Sequence, residues 1–252
     1  MTESRVRRRP PPEADVASMF DGVVDRYTLV NSMLSLGLDR VWRRAAVRAA
    51  DPRPGTLILD VGSGTGELTA AVARAGAFAV GVDASAGMVA AAHEGAAPRT
   101  TFVRGSAFRL PFATAAFDAV VSAFVLRNLA DLPGAFAELA RVLRPGAPVA
   151  LVDITEPPSA TLRRLFDAYF GVAAPALGSL VGHRDAYRYL ARSVTHLPPA
   201  TDLCADLRRA GFEQVRAHPL TGGMVTLFSG RRSGDDDGAA PQPSEGASDQ
   251  RG

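Results

Sequence analysis

A chain of 252 residues, 47% hydrophobic and 21% charged, can bury one sizeable core and fits a single α/β domain with additions. Its formal net charge of +2 gives no electrostatic reason to expect nucleic acid as a partner. The one cysteine, Cys204, excludes an internal disulfide, argues against a cysteine-based zinc site and suggests a reducing, cytoplasmic setting, while the absence of Lys excludes the usual Walker P-loop, Schiff-base chemistry and a pyridoxal phosphate anchor.

Residues 1–12 read as a disordered arm, in which Arg5, Arg7, Arg8 and Arg9 run into Pro10, Pro11 and Pro12 where a secretory leader would be apolar. Met19, Phe20, Val23, Val24 and Tyr27 recur at helical spacing, as do Val41, Trp42, Ala45 and Ala46. Strand-like and helix-like runs then alternate. Strands are expected at Thr56–Val61, Phe78–Val82, Thr101–Arg104, Phe117–Ala123 and Pro148–Ile154. Helices are expected at Glu67–Ala75, Ala86–His93 and Pro133–Leu143, the last stopped by Arg144-Pro145-Gly146. Residues 157–199 break the alternation and read as a helical insertion. Its longest apolar run, Phe170–Val181, is too short and too broken by Pro and Gly to cross a bilayer. A helix at Asp202–Ala210 is followed by strands at Phe212–Ala217 and Met224–Ser229, which should pair antiparallel because no helix separates them. From 231 to 252 the composition is that of a disordered tail, and the run Asp235–Asp237 within it reads as solvated charge.

A mostly parallel, seven-stranded sheet whose last strand is antiparallel is the Rossmann-like α/β pattern of a class I methyltransferase. The first strand runs into Asp60-Val61-Gly62-Ser63-Gly64-Thr65-Gly66, a turn in which glycines let the backbone approach a ligand closely. Dinucleotide sites use similar loops, but Asp60 would repel a pyrophosphate and suits a ligand with an ammonium group, as in S-adenosylmethionine. Asp83, ending the second strand, can accept from both hydroxyls of a ribose. The competing reading of both acids is local capping.

These residues carry a closer resemblance, over roughly Met19 to Phe228, to the ubiquinone/menaquinone biosynthesis C-methyltransferase family (UbiE type). It rests on Tyr27-Thr28-Leu29-Val30-Asn31 through Leu38 to Trp42, on the glycine turn, on Leu110-Pro111-Phe112 with Phe124-Val125-Leu126-Arg127-Asn128-Leu129, and on Asp185-Ala186-Tyr187-Arg188-Tyr189-Leu190. The resemblance implies methyl transfer from S-adenosylmethionine to a ring carbon of a prenylated hydroquinone, with demethylmenaquinol as the leading acceptor. Another quinone, an aromatic polyketide-like acceptor and a non-catalytic cofactor-binding regulator are the alternatives. It implies that Arg127 and Asn128 lie beside the reacting ring. The cofactor would be held by Asp60, Gly62, Gly64, Thr65, Gly66, Asp83, Ala84, Met88, Ser106 and Ala107.

Arg cannot act as the base, so an electrostatic role is expected for Arg127, with an ion pair to Asp131 as the alternative. Tyr27, Asn31, Tyr187 and Tyr189 are candidates for the acceptor pocket or for ordinary packing. His183 is a candidate base or a surface histidine. No metal is expected, and an apolar surface around Phe166–Leu180 suggests peripheral membrane contact. The family's usual residues are replaced at Thr28, Asp39, Ala123, Val125, Asp153 and Ser106; the last takes the place of an adenine-contacting acid or amide.

Overall fold

The computed structural model describes residues 10–21, 24, 35, 37–169, 193 and 196–234. Helices α1 (Glu13–Asp21) and α2 (Asp39–Ala50) precede the sheet. Then follow β1 (Leu57–Val61), α3 (Glu67–Arg74), β2 (Phe78–Asp83), α4 (Ala86–Glu94), β3 (Thr100–Arg104) and β4 (Ala119–Ala123). A 3₁₀ turn at Leu126–Asn128 leads to α5 (Leu132–Val142), β5 (Pro148–Ile154), α6 (Ala160–Ala168), α7 (Ala200–Arg209), β6 (Phe212–Leu220) and β7 (Val225–Arg232).

The strand order is β3-β2-β1-β4-β5-β7-β6. Pairs from β3 through β5 are parallel, and β7 runs antiparallel to both β5 and β6. This is the mixed sheet expected from the sequence. Side chains alternate across it, as strand geometry requires: Leu59 and Val61 join one core with Phe136 and Leu207, whereas Ile58 joins the other with Trp42 and Val72. The two cores make the strands apolar throughout, which is why they read as continuous runs in the sequence.

Three boundaries differ from expectation. Pro12 is already tied to α1, because its carbonyl accepts from Asp15 N (3.0 Å) and Val16 N (3.2 Å), and Glu13 and Asp15 place negative charge in the helix's first turn. β4 begins at Ala119; before it, the Asp118 side chain accepts from Leu57 N (2.8 Å) and takes the place of a strand partner. β7 continues through Arg231 and Arg232, since Arg232 N donates to Ala147 O (2.8 Å) and its Nε to Ala140 O (3.0 Å). Among the described residues, no helix is long and apolar enough to cross a membrane.

Phe136 is fully buried at the centre of the first core. Phe136→Ala is expected to cost about 3–5 kcal/mol, read as a lower urea midpoint with an unchanged denaturant slope; a cost under about 1 kcal/mol would mean that this core is not packed as described.

Candidate functional site

Strand order reverses between β1 and β4, so the loops leaving their carboxyl ends part and open a crevice, the usual ligand position in such sheets. Four loops meet there: those after β1, β2, β3 and β4. The first folds over β2, with Gly62 N and Ser63 N both donating to Val82 O (2.8 and 3.1 Å). Gly62 has φ +69°, and a Cβ there would lie 2.2 Å from Val125 Cγ2. Both backbone conformation and space therefore demand glycine.

Asp60 lies beneath this turn, almost fully buried. Its Oδ2 accepts from Thr69 Oγ1 (2.6 Å), while Oδ1 has no hydrogen-bond partner among the described residues. Burial pushes its carboxyl up to about 7, against the pull of the Thr69 hydrogen bond and the Arg43 charge. A buried acid with one unsatisfied oxygen is costly unless a donor or cation meets it. Asp83 sits one strand over: Oδ2 accepts from Gly64 N (2.8 Å) and Oδ1 from Ser85 N (2.9 Å), and burial raises its carboxyl too. Each of its oxygens retains a further lone pair.

The anticipated cofactor residues fall into three groups. Gly62, Asp83, Ala84 and Ala107 line one cavity of about 80 Å³, together with Asn128. Thr65 and Gly66 instead border a wider cleft of about 460 Å³ between α2 and α3, next to Arg40, Arg43 and Arg44. The remaining four line neither cavity: Asp60 is buried beneath the turn, Met88 is buried in α4, Gly64 N donates to Asp83, and Ser106 Oγ accepts from Phe108 N (3.1 Å). Tyr27, Asn31, His183, Tyr187 and Tyr189 lie outside the described residues.

Arg127 and Asn128 share the turn after β4, yet they differ in surroundings. Asn128 lines the cavity. Arg127 is buried and ion-paired with Asp153, not with Asp131: Nη1 donates to Asp153 Oδ1 (2.5 Å), the main-chain N to Oδ2 (3.1 Å) and Nε to Ser193 Oγ (3.2 Å). Asp131 instead caps α5 by accepting from Gly134 N (3.1 Å). The pairing follows from β4 and β5 being neighbours, which brings their carboxyl ends together.

Several site features escaped the sequence reading. Phe124 adopts φ +65°, a strained conformation for a bulky side chain, and its ring is approached by the guanidinium groups of Arg43 (5.7 Å from its centroid) and Arg127 (5.9 Å). Trp42 packs edge-on against it at 6.0 Å. Arg43 also pairs with both Asp39 and Glu67. From α1, Glu13 Oε1 accepts from Ala107 N (3.2 Å), and Asp21 Oδ1 accepts from Ser85 Oγ (2.5 Å) and Gly87 N (2.9 Å). The Ser85 hydrogen bond, then that of Gly87, holds the Asp21 carboxyl below its usual range.

Residues 9–232 match the model of the ubiE/COQ5 methyltransferase family. The chain is 44% identical to a demethylmenaquinone methyltransferase of Mycobacterium marinum over 86% of its own length and 93% of the relative's. It is 42% identical to the enzyme of the same name from Mycolicibacterium vanbaalenii over 87% and 95%. Among solved structures, the [4+2]-cyclase SpnF superposes with a TM-score of 0.65 at 19% identity, covering 90% of this chain and 98% of that one, a likeness of fold.

Asp60 makes stability depend on pH in a defined direction. Its proton is held more tightly in the folded chain than in the unfolded one, so its contribution is fully present below about pH 3.8 and is lost as pH rises to about 7. The loss is at most about 4 kcal/mol. Relative to the parent, Asp60→Asn is therefore expected to gain stability steadily from pH 5 to pH 8 in urea titrations. Parallel pH profiles for the two proteins would show that Asp60 does not titrate in that window.

Proposed function

The chain belongs to the ubiE/COQ5 methyltransferase family, and we propose that it transfers a methyl group from S-adenosylmethionine to a ring carbon of demethylmenaquinol. The observation that carries the reading is Asp60: a buried carboxylate with an unsatisfied oxygen, under a glycine turn at the strand-order reversal. A carboxylate in that position favours a cationic ligand and disfavours a pyrophosphate. Relatives that match along nearly their whole length and are named demethylmenaquinone methyltransferase support the acceptor.

When bound, S-adenosylmethionine supplies an electrophilic methyl group on a sulfonium sulfur. Asp60 would take the ammonium of its amino acid end, and the remaining lone pairs of Asp83 would take the ribose hydroxyls. Gly62 keeps the turn close enough for these contacts. Asn128, on the cavity wall, would hydrogen-bond the ring hydroxyl of the acceptor and hold the carbon in line with the methyl; such positioning can supply roughly 7–11 kcal/mol.

Arg127 is already engaged by Asp153 and Ser193. It would act mainly by fixing the turn that carries Asn128, with its charge favouring an ionised hydroxyl on the acceptor. On this reading the methyltransferase unit spans residues 13–230, with β7 carrying it to Arg232, and the insertion at 157–199 helps to cover the acceptor. A lipophilic acceptor also favours peripheral contact with a membrane near Phe166–Leu180, which co-sedimentation with quinone-loaded liposomes tests.

The deciding assay follows label from methyl-labelled S-adenosylmethionine into chemically reduced demethylmenaquinol. Asn128→Ala should lower kcat by about a hundredfold in a folded protein. Arg127→Ala should lose activity together with roughly 3–5 kcal/mol of stability, because it strands the buried Asp153. Tight cofactor binding without turnover on demethylmenaquinol, but with turnover on another aromatic acceptor, would overturn the acceptor assignment.

A further inference from the structure

Glu13 stands on α1, far in sequence from the loops that build the crevice, yet its carboxylate reaches into it. Glu13 Oε1 accepts from Ala107 N (3.2 Å), and both residues line the cavity that Asp83 borders. The Glu13 charge is close enough to be felt by Asp83. α1 is pinned in this position at its other end, where Asp21 receives the Ser85 hydroxyl and the Gly87 amide, and in its middle, where Val16 is buried.

A nucleoside whose ribose meets Asp83 would have Ala84, Gly105 and Ala107 along its base, and these line the same cavity as Glu13 on α1. One edge of adenine presents an exocyclic amine, a donor, beside a ring nitrogen, an acceptor. Reading that edge takes an acceptor next to a donor on the protein. The Ala107 N–H and the Glu13 carboxylate are such a pair, adjacent and hydrogen-bonded to each other. Among the described residues lining the cavity, Asp83 is the only other acid, and it belongs to the ribose. The neighbouring Ser106 does not line this cavity, and its Oγ accepts from Phe108 N within its own turn.

The geometry points to Glu13 as the residue that selects adenine: with the base in place, Ala107 N donates to the ring nitrogen and the Glu13 carboxylate accepts from the exocyclic amine. This assignment rests on the S-adenosylmethionine reading given above. It also accounts for Ser106, since the acid that reads the base arrives from the N-terminal helix instead of from the loop after β3. The base is then gripped by two separate parts of the chain, the loop after β3 and the N-terminal helix.

The test compares two ligands that differ at this edge alone, S-adenosylhomocysteine and S-inosylhomocysteine, which carries a carbonyl in place of the amine and a protonated ring nitrogen. Calorimetry is run on the parent chain, Glu13→Ala and Glu13→Gln. The parent is expected to prefer the adenosyl ligand by at least about tenfold. In Glu13→Ala the preference should fall by at least about threefold without vanishing, because Ala107 N–H still opposes the protonated ring nitrogen of the inosyl compound. Glu13→Gln, whose amide can turn either its oxygen or its nitrogen to the ligand, should gain affinity for the inosyl compound. That gain in Glu13→Gln is one that no merely structural role of Glu13 explains. Equal weakening of both ligands in Glu13→Ala, an unchanged ratio, or a parent that binds both alike would overturn the assignment. A parent that binds neither ligand would overturn the cofactor reading itself.

Discussion

The site depends on one buried ion pair. Asp153, at the carboxyl end of β5 and fully buried, accepts from the Arg127 guanidinium, the Arg127 main-chain N–H and Ile154 N (2.7 Å). Desolvating two such charges is expensive, and the pair is tolerable because Asp153 accepts three hydrogen bonds and the guanidinium also donates to Ser193 Oγ. Its effect is geometric. It ties the turn after β4 to the neighbouring strand, which places Val125 against Gly62 and Asn128 on the cavity wall. Phe124, just before that turn, is held at positive φ at a cost of about 1–3 kcal/mol. The hydrogen bond from Phe124 N to Val152 O (2.8 Å) and the flanking guanidinium groups are what offset it.

Around this fixed point the crevice carries an excess of acid. Asp60, Asp83 and Glu13 come from three different elements: Asp83 and Glu13 line one cavity, and Asp60 lies buried beneath the adjoining glycine turn. Burial raises the first two carboxyls, so the site resists full ionisation. A ligand bearing two positive charges, an ammonium and a sulfonium, relieves that repulsion. Once the methyl has left, the sulfur is neutral, and the product has lost part of its attraction to the site. The same electrostatics that draw the donor in thus favour release of what remains of it.

Most of the architecture was legible in the sequence because it is set by local chemistry. Apolar runs such as Ile58-Leu59 and Val149–Val152 have no polar face to blur them, and the helices between them are bounded by Gly or Arg-Pro-Gly stops. The glycine turn and its two acids could be read for the same reason. Interactions that join distant segments were not legible. The partner of Arg127 is 26 residues away, and only strand adjacency puts Asp153 beside it in preference to the nearby Asp131. Glu13 reads as an ordinary first-turn acid of a surface helix until α1 is seen lying over the loop at Ala107. The Arg231-Arg232 end of β7 looks like the start of a polar tail, because its pairing is made by backbone and its arginines bond to carbonyls.

Trp42 is the chain's one tryptophan. Its indole N–H donates to Thr221 Oγ1 (2.9 Å) at the β6–β7 turn, and its ring meets the edge of Phe124. The lone indole chromophore therefore reports on three elements at once: α2, the strained residue after β4, and the closing hairpin. Any rearrangement that frees the Phe124 ring or pulls the hairpin away from α2 changes the polarity around a single emitter, so the protein carries its own optical gauge of whether the strained turn is in place.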